Sequence, residues 1–124
     1  MNNGKFYEFS IALKEISTLP RQSMCMQALL LMRYCESNPK NMTVTSFRHN
    51  DAPYFENQSI RQNLLSCPDE GNLSRSLRAL YEAGFVDRVA VNENTGELNF
   101  DIDFRSKSSK IYWGLTDKSR LVLF

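Results

Sequence analysis

The sequence predicts an α+β domain that is mainly helical and carries a small antiparallel sheet. Two observations favour this class. Apolar residues recur at three- and four-residue spacing early in the chain and again over residues 72–84, and they alternate with polar residues over residues 98–104. The 124 residues, 42% of them hydrophobic and 23% charged, suffice for one domain with a modest core over residues 1–124.

Two helices are predicted to open the chain. The first covers residues 5–18 and ends before Pro20, because the residue preceding a proline disfavours helix. Its apolar stripe, at 3-4-3 spacing, consists of Phe6, Phe9, Leu13 and Ile16. The second helix, over residues 21–37, is apolar on almost every side. Such a helix belongs in the middle of the core or under a second subunit.

The middle of the chain is expected to form a strand and then two consecutive helices. Residues 42–47 alternate and include β-branched side chains, so they predict a short strand, whereas residues 48–55 are expected to be irregular. A third helix is predicted over residues 57–66. A turn over residues 67–71 joins it to the next helix, which is the order of a helix-turn-helix.

The most informative segment is the helix predicted over residues 72–84. Asn72 is a favourable N-cap and Gly84 a favourable left-handed C-cap. The apolar face consists of Leu73, Leu77, Leu80 and Tyr81. The opposite face and its flanks carry Arg75, Arg78, Glu82, Ser74 and Ser76. A helix that is apolar behind and rich in Arg and Ser in front, with a strand directly after it, is typical of a recognition helix that leads into a β-wing.

Strands and one short helix are predicted for the remaining residues. The expected order is a strand over 85–91, a hairpin turn over 92–97, a half-buried strand over 98–104, a basic loop over 105–110 and a strand over 111–115. Thr116 is expected to cap a last helix over residues 117–123.

Two segments carry a family resemblance. Residues 73–88, Leu-Ser-Arg-Ser-Leu-Arg-Ala-Leu-Tyr-Glu-Ala-Gly-Phe-Val-Asp-Arg, resemble a recognition helix, a Gly-closed turn and a first wing strand. Residues 114–120, Gly-Leu-Thr-Asp-Lys-Ser-Arg, are similar to the Leu-Thr-x-Lys-Gly-Arg that leaves a wing. Together they make residues 59–120 resemble bacterial winged-helix regulators of the MarR and PadR kind, although Ser119 stands where Gly is usual.

The resemblance implies a winged helix-turn-helix over residues 57–120 and a sequence-specific, DNA-binding transcriptional regulator. Its recognition helix would enter the major groove, where arginines pair with guanine edges or phosphates and serines bond phosphate oxygens. The candidate DNA-binding residues are Arg61, Gln62, Asn63, Asn72, Ser74, Arg75, Ser76, Arg78, Arg105, Lys107 and Lys110. The alternative for each of them is an ordinary solvated surface residue.

A homodimer is the expected assembly, on a pseudo-palindromic operator of double-stranded DNA. The long C-terminal dimerisation helices of MarR-like proteins have no counterpart before Phe124, so residues 1–37 are expected to supply the interface. The stripe Phe6, Phe9, Leu13 and Ile16 is the candidate seam, and packing against the chain's own core is the alternative.

The charge distribution favours a second hypothesis, a winged-helix module for protein–protein contact that binds no DNA. The net charge is only +1. Residues 1–50 hold six Lys/Arg and three Asp/Glu, whereas residues 51–124 hold nine and eleven. The half that contains the expected recognition helix is therefore slightly acidic, unlike a strongly basic DNA binder.

Catalysis, a metal and a cofactor are not expected. His49 is the sole histidine, no Cys/His group has zinc spacing, and no glycine-rich phosphate loop is present. Asp101 and Asp103 share one side of a predicted strand, which is more often a solvent face than a metal pair. The chain has no apolar run near 18 residues and no secretory signal core, so a cytoplasmic protein without a membrane span is expected.

Overall fold

The computed structural model describes residues 3–41, 44–64, 69–100 and 109–123. The elements, in chain order, are α1 (Asn3–Ser17), α2 (Gln22–Ser37), a 3₁₀ turn (Pro39–Asn41), β1 (Ser46–His49), β2 (Ala52–Glu56), α3 (Asn57–Asn63), α4 (Glu70–Glu82), β3 (Val86–Asn92), β4 (Leu98–Asn99), β5 (Ser109–Leu115) and α5 (Asp117–Arg120). The predicted α+β class with a small antiparallel sheet is confirmed.

The core lies between the helices and one face of the sheet, with α2 at its centre. Five residues of α2 are buried: Cys25, Ala28, Leu29, Met32 and Cys35. They pack with Leu73, Leu77 and Leu80 of α4 and with Phe55 and Trp113 of the sheet. Of the two expected positions for α2, the structure shows the first, in the middle of the core, although Leu30 and Tyr34 leave one side of the helix exposed.

A β-hairpin occupies the segment that was expected to be irregular. In β1 and β2, Arg48 is opposite Pro53 and His49 is opposite Ala52. The two-residue turn between them places Asn50 at φ 52° and Asp51 at φ 62°. Both are left-handed, as a type I′ hairpin turn requires, and Asn and Asp tolerate that conformation. The prediction was wrong because a proline inside a run argues against a strand.

The sheet has the order β1-β2-β5-β3-β4, and every neighbouring pair is antiparallel. The longest pairing joins β3 and β5, from Val86 opposite Leu115 to Asn92 opposite Ser109. The expected basic loop over 105–110 is therefore wrong at its end, because β5 already begins at Ser109. Of the strands predicted over 42–47 and 98–104, residues 42, 43 and 101–104 lie outside the described residues.

The helix α4 begins two residues earlier than predicted, and Asn72 is not its N-cap. Asp69 is the cap, since its Oδ1 accepts a hydrogen bond from the backbone N–H of Asn72 at 2.8 Å. At the other end Gly84 has φ 86°, and Phe85 N–H donates to Leu80 O at 2.9 Å. This Schellman arrangement confirms Gly84 as the left-handed C-cap residue.

The two segments that carry the family resemblance meet in space. Thr116 caps α5 as predicted, and its hydroxyl donates to Gly84 O at 2.6 Å. Lys118 Nζ donates to Ala83 O at 2.7 Å and also pairs with Glu15 of α1. These contacts fix the end of α4 to the rest of the fold, so α4 is held at its C-terminus by α5.

Two predicted helix ends differ from the structure. The helix α3 stops at Asn63, and Leu64 is extended with φ −83° and ψ 143°. The helix α5 covers only Asp117–Arg120. Residues 65–68, which join α3 to α4, lie outside the described residues.

Candidate nucleic-acid interface

The helix α4 has one face in the core and one in solvent. Leu73, Leu77 and Leu80 are buried, and Arg75 and Arg78 are exposed one helical turn apart on the other side. The division follows from the sequence, because the leucines recur every three or four residues and the arginines fall between them. Burying the leucine side leaves the arginine side as the outward surface.

The Arg75 guanidinium is tied to neighbouring side chains of its own helix. Its Nη2 donates to Asn72 Oδ1 at 2.9 Å, and Asn72 Nδ2 donates to Asp69 Oδ2 at 2.6 Å. Asp69 was not among the predicted site residues. The signal for it was present in the sequence, because Asp is among the favoured N-cap residues and Asp69 stands directly before the helix.

Arg78 has a looser environment. Its Nε lies 3.4 Å from Glu82 Oε1, and the two side chains are 69% and 67% exposed. Pairs this exposed are worth a few tenths of a kcal/mol up to about 1 kcal/mol, so Arg78 is easily released to another anion.

The two serines of α4 have different positions. Ser74 is half-buried, and its Oγ accepts a hydrogen bond from Asn57 Nδ2 of α3 at 3.3 Å. Ser76 is fully buried, its hydroxyl donates to Asn72 O at 2.9 Å, and its own carbonyl accepts from Cys25 Sγ at 3.6 Å. Ser76 as a phosphate ligand is therefore wrong, because the residue lies on the core side where α4 meets α2.

The candidates on α3 are less prominent. Gln62 and Asn63 are exposed, whereas Arg61 is half-buried. Asn63 Nδ2 donates to Ser59 O of the same helix at 2.8 Å. Of the three candidates on this helix, Gln62 and Asn63 are therefore the more exposed, and part of the Asn63 amide is occupied.

Lys110 is the described candidate of the basic segment, and it is held by carboxylates. Its Nζ lies 3.1 Å from Glu93 Oε1 and 3.6 Å from Glu56 Oε1. The hydrogen bond to Glu93 and the charge of Glu56 raise the pKa of Lys110 above its usual value. The same side chain lines an open cleft with Glu70 at the start of α4. Arg105 and Lys107, like Asp101 and Asp103, lie outside the described residues.

Acidic side chains surround the outward face of α4. Asp69 and Glu70 lie at its first turn and Glu82 at its last. Against two arginines this gives three negative charges on and beside the helix. The surface is therefore polar and mixed in sign, not a continuous basic patch.

The described basic side chains outside α4 include several with structural partners. Arg33 and Arg120 both bind Glu36, and Lys118 binds Glu15. Arg88 lies over the Tyr81 ring, with Cζ 4.2 Å from the ring centroid. Arg120 joins α5 to α2, Lys118 joins α5 to α1, and Arg88 of β3 packs on α4, whereas Arg33 pairs within α2. Each of these four cations therefore has a partner within the fold.

Comparison of the chain with protein-family models, curated proteins and solved structures gives no significant match. Among the described residues, no helix combines the length and apolarity needed to cross a membrane.

Proposed function

We propose that this chain is a winged helix-turn-helix transcriptional regulator that binds DNA sequence-specifically and performs no catalysis of its own. The helix α4 is its recognition helix. The observation that carries the proposal is the outward position of Arg75 and Arg78 on a helix whose opposite face is locked into the core. A helix packed against the core in this way can enter the major groove without rearrangement of the fold.

The order of elements supports the same proposal. The helices α3 and α4 are consecutive, as in a helix-turn-helix, and the antiparallel pair β3–β5 follows them as a wing would. Lys110 of β5 shares a cleft with Glu70 of α4, so this strand starts beside the first turn of the helix. A regulator of this kind would act in the cytoplasm, on the DNA that it binds there.

A homodimer complements the weak charge of one copy. Doubling the α4 surface doubles the number of arginine contacts on a pseudo-palindromic site. Phe6 and Leu13 lie seven residues apart on one side of α1 and are 59% and 43% exposed, and the Phe6 ring lies 6.5 Å from that of Phe9. Ile16 is excluded from this seam, because it is buried in the chain's own core.

Binding to duplex DNA over a salt series tests the function. The wild type should bind duplexes selected from a random pool, with log K falling against log salt at a slope of about −2 to −4, since each neutralised phosphate contributes roughly −0.9. The double variant Arg75→Ala/Arg78→Ala should lose at least about 100-fold in affinity, because each good arginine contact is worth roughly 1–3 kcal/mol. Its Tm should not change.

The matched control is Lys14→Ala/Lys40→Ala, which removes the same charge from exposed side chains outside α4. It should lower affinity several-fold less than the arginine pair. Equal losses in the two double variants, or a wild type that binds no duplex at low salt, would refute α4 as the DNA-binding element.

Sedimentation at micromolar concentration tests the dimer. Phe6→Glu/Leu13→Glu should convert a dimer into a monomer, because it places charges in the proposed seam. Tyr7→Glu/Ile11→Glu changes two residues that are also exposed but lie on another side of α1, so it should leave the dimer intact. A monomeric wild type, or a monomer produced equally by both pairs, would rule out the seam.

The ion pairs of Lys110 favour a second candidate function, a winged-helix module that binds a protein. Its ammonium lies between Glu56 and Glu93, so a wing with this lysine is a poor phosphate ligand. Under this candidate the wild type binds no duplex at low salt, and the acidic flank of α4 takes a basic partner instead.

A further inference from the structure

Three side chains form a hydrogen-bonded row on the first two turns of α4. Asp69 accepts from the amide nitrogen of Asn72, and Asn72 accepts from Arg75 through its amide oxygen. Each end of the Asn72 amide therefore has the partner its chemistry requires, since the nitrogen only donates and the oxygen only accepts. The row fixes the direction in which Arg75 leaves the helix.

The guanidinium of Arg75 lies beside Gly71. A Cβ placed on Gly71 would be 3.5 Å from Nη2 and 3.6 Å from Nη1 of Arg75, so the guanidinium rests against the backbone of the first turn. This agrees with the general lean of helical side chains towards the N-terminus. Arg75 is thus directed along the helix towards its leading end.

This position is electrostatically unfavourable for a cation on its own. A positive charge at a helix N-terminus is destabilised by the helix dipole. Asp69, which caps the helix, and Glu70 offset that cost. Arg75 therefore lies where a helix favours an anion. Its hydrogen bond to Asn72 reduces its rotamer freedom before DNA binds.

Arg78 lacks such a frame. Its Nε pairs with Oε1 of the exposed Glu82 at 3.4 Å. A flexible arginine of this kind can follow a phosphate, but it does not define the direction of its own donors. The two arginines of one face are therefore prepared for different tasks.

We propose that Arg75 reads a base and that Asn72 is its positioning residue, whereas Arg78 contacts phosphate without sequence preference. The inference rests on the proposed function. The feature recognised by Arg75 is the guanine edge in the major groove, whose O6 and N7 accept two parallel donors. After donating once to Asn72, Arg75 keeps the rest of its five N–H donors for that edge.

Selection of bound duplexes from a random pool separates the roles. The wild type should prefer G·C at one position of each half-site by roughly 5- to 150-fold, which corresponds to 1–3 kcal/mol. Arg75→Lys should remove most of this preference, because an ammonium cannot form the planar pair. Asn72→Ala, which keeps every charge, should lower the preference at the same position at least about threefold with an unchanged salt slope.

Arg78→Lys and Arg78→Ala are the matched controls from the same face of the helix. Both should keep the base preference. Arg78→Ala should weaken binding to all duplexes alike and reduce the salt slope by about 0.9 for each copy of the chain.

Nitrogen-15 relaxation of the arginine Nε–H groups tests the positioning without DNA. Arg75 should have a higher order parameter than Arg78, and Asn72→Ala should lower it to the Arg78 level. The Tm of this variant should stay within about 2 °C of the wild-type value. Equal order parameters in the wild type would overturn the role of Asn72.

The outcomes distinguish the inference from the function beneath it. A wild type that selects a base, together with Asn72→Ala that selects it equally well, overturns the positioning role and leaves DNA binding intact. If Arg75→Lys and Arg78→Lys lower the base preference equally, the separate roles of Arg75 in base recognition and Arg78 in phosphate contact are overturned. A wild type that binds no duplex overturns the proposed function, and the inference falls with it.

Discussion

Two pairs of arginines in this chain have the same charge and very different neighbours. Arg33 and Arg120 converge on Glu36, whose side chain is 14% exposed, at distances of 2.9–3.0 Å. Arg75 and Arg78 lie on the outward face of α4 and meet only side chains of their own helix. Arg120 joins α5 to α2 through Glu36, and Arg33 reaches the same carboxylate within α2. By contrast, the side-chain bonds of Arg75 and Arg78 given above stay within α4 and its cap.

The difference shows which cations the fold needs. Removing one partner of a buried pair leaves an uncompensated charge and is strongly destabilising, whereas an exposed pair contributes little. Stability should therefore depend on Arg33, Arg120 and Glu36. The arginines of α4 can be replaced at almost no cost to folding, which is the property expected of residues kept for binding.

The largest effect on stability is expected from Glu36→Gln. The substitution removes the charge that both arginines bind while keeping the size of the side chain. We expect unfolding free energy to fall by about 1–3 kcal/mol, less than for a fully buried pair because Arg33 and Arg120 are about one third exposed. Urea denaturation measures it, with Glu82→Gln as the control that should change it by less than about 0.5 kcal/mol. A similar loss of unfolding free energy in both variants would mean that the Glu36 ion pairs are no more important for stability than the α4 pair.

The same carboxyl makes stability depend on pH. Burial alone would raise the pKa of Glu36, but the hydrogen bond and charge of Arg120, with Arg33, outweigh it and hold the pKa below its usual value. A depressed pKa in the folded state stabilises the fold above the unfolded-state pKa of about 4.3, and this contribution is lost as pH falls through the folded value.

Unfolding free energy should therefore decline more steeply below about pH 4.5 in the wild type than in Glu36→Gln. Denaturation curves between pH 3 and 7 compare the two proteins. Parallel curves would mean that Glu36 does not contribute to acid sensitivity.

Lys118 tests the attachment of α4 itself. Lys118→Met removes the ammonium that binds Glu15 and Ala83 O, while the side chain can still lie on the Phe85 ring. The expected loss is about 1 kcal/mol, because the group is partly exposed. Hydrogen exchange should report faster opening at the end of α4; protection unchanged at Gly84 and Phe85 would show that α5 does not hold the helix.

Local sequence signals predicted most of the helices and strands. The apolar spacing of α4, the Gly84 cap and the Thr116 cap act within a few residues, so they are readable from the chain alone. The β1–β2 hairpin was missed because Pro53 argues against a strand, and its pairing with β1 depends on a turn of Asn50 and Asp51 without the usual glycine.

The candidate site was only partly predictable, because its electrostatics depend on contacts distant in sequence. The outward position of Arg75 and Arg78 follows from the leucine spacing. Lys110 and Glu56 are 54 residues apart in the sequence, and they meet because β5 pairs with β2. In that pairing Glu56 is opposite Tyr112. Ser76 was misplaced because a flank position on a helical wheel becomes buried when α2 packs against it.

The smallest change in stability is expected when the exposed partner of Arg78 is removed. Glu82→Ala removes the exposed partner of Arg78, and the unfolding free energy should change by less than about 0.5 kcal/mol, since both side chains are largely in solvent. Duplex affinity should rise by up to about threefold at low salt, because one negative charge leaves the face and Arg78 no longer exchanges a partner for a phosphate. Direct titration of one selected duplex measures this, and the gain should vanish at high salt. A fall in affinity would mean that Glu82 orients Arg78 as Asn72 orients Arg75, and the two arginines would then have to be treated as a single base-reading pair.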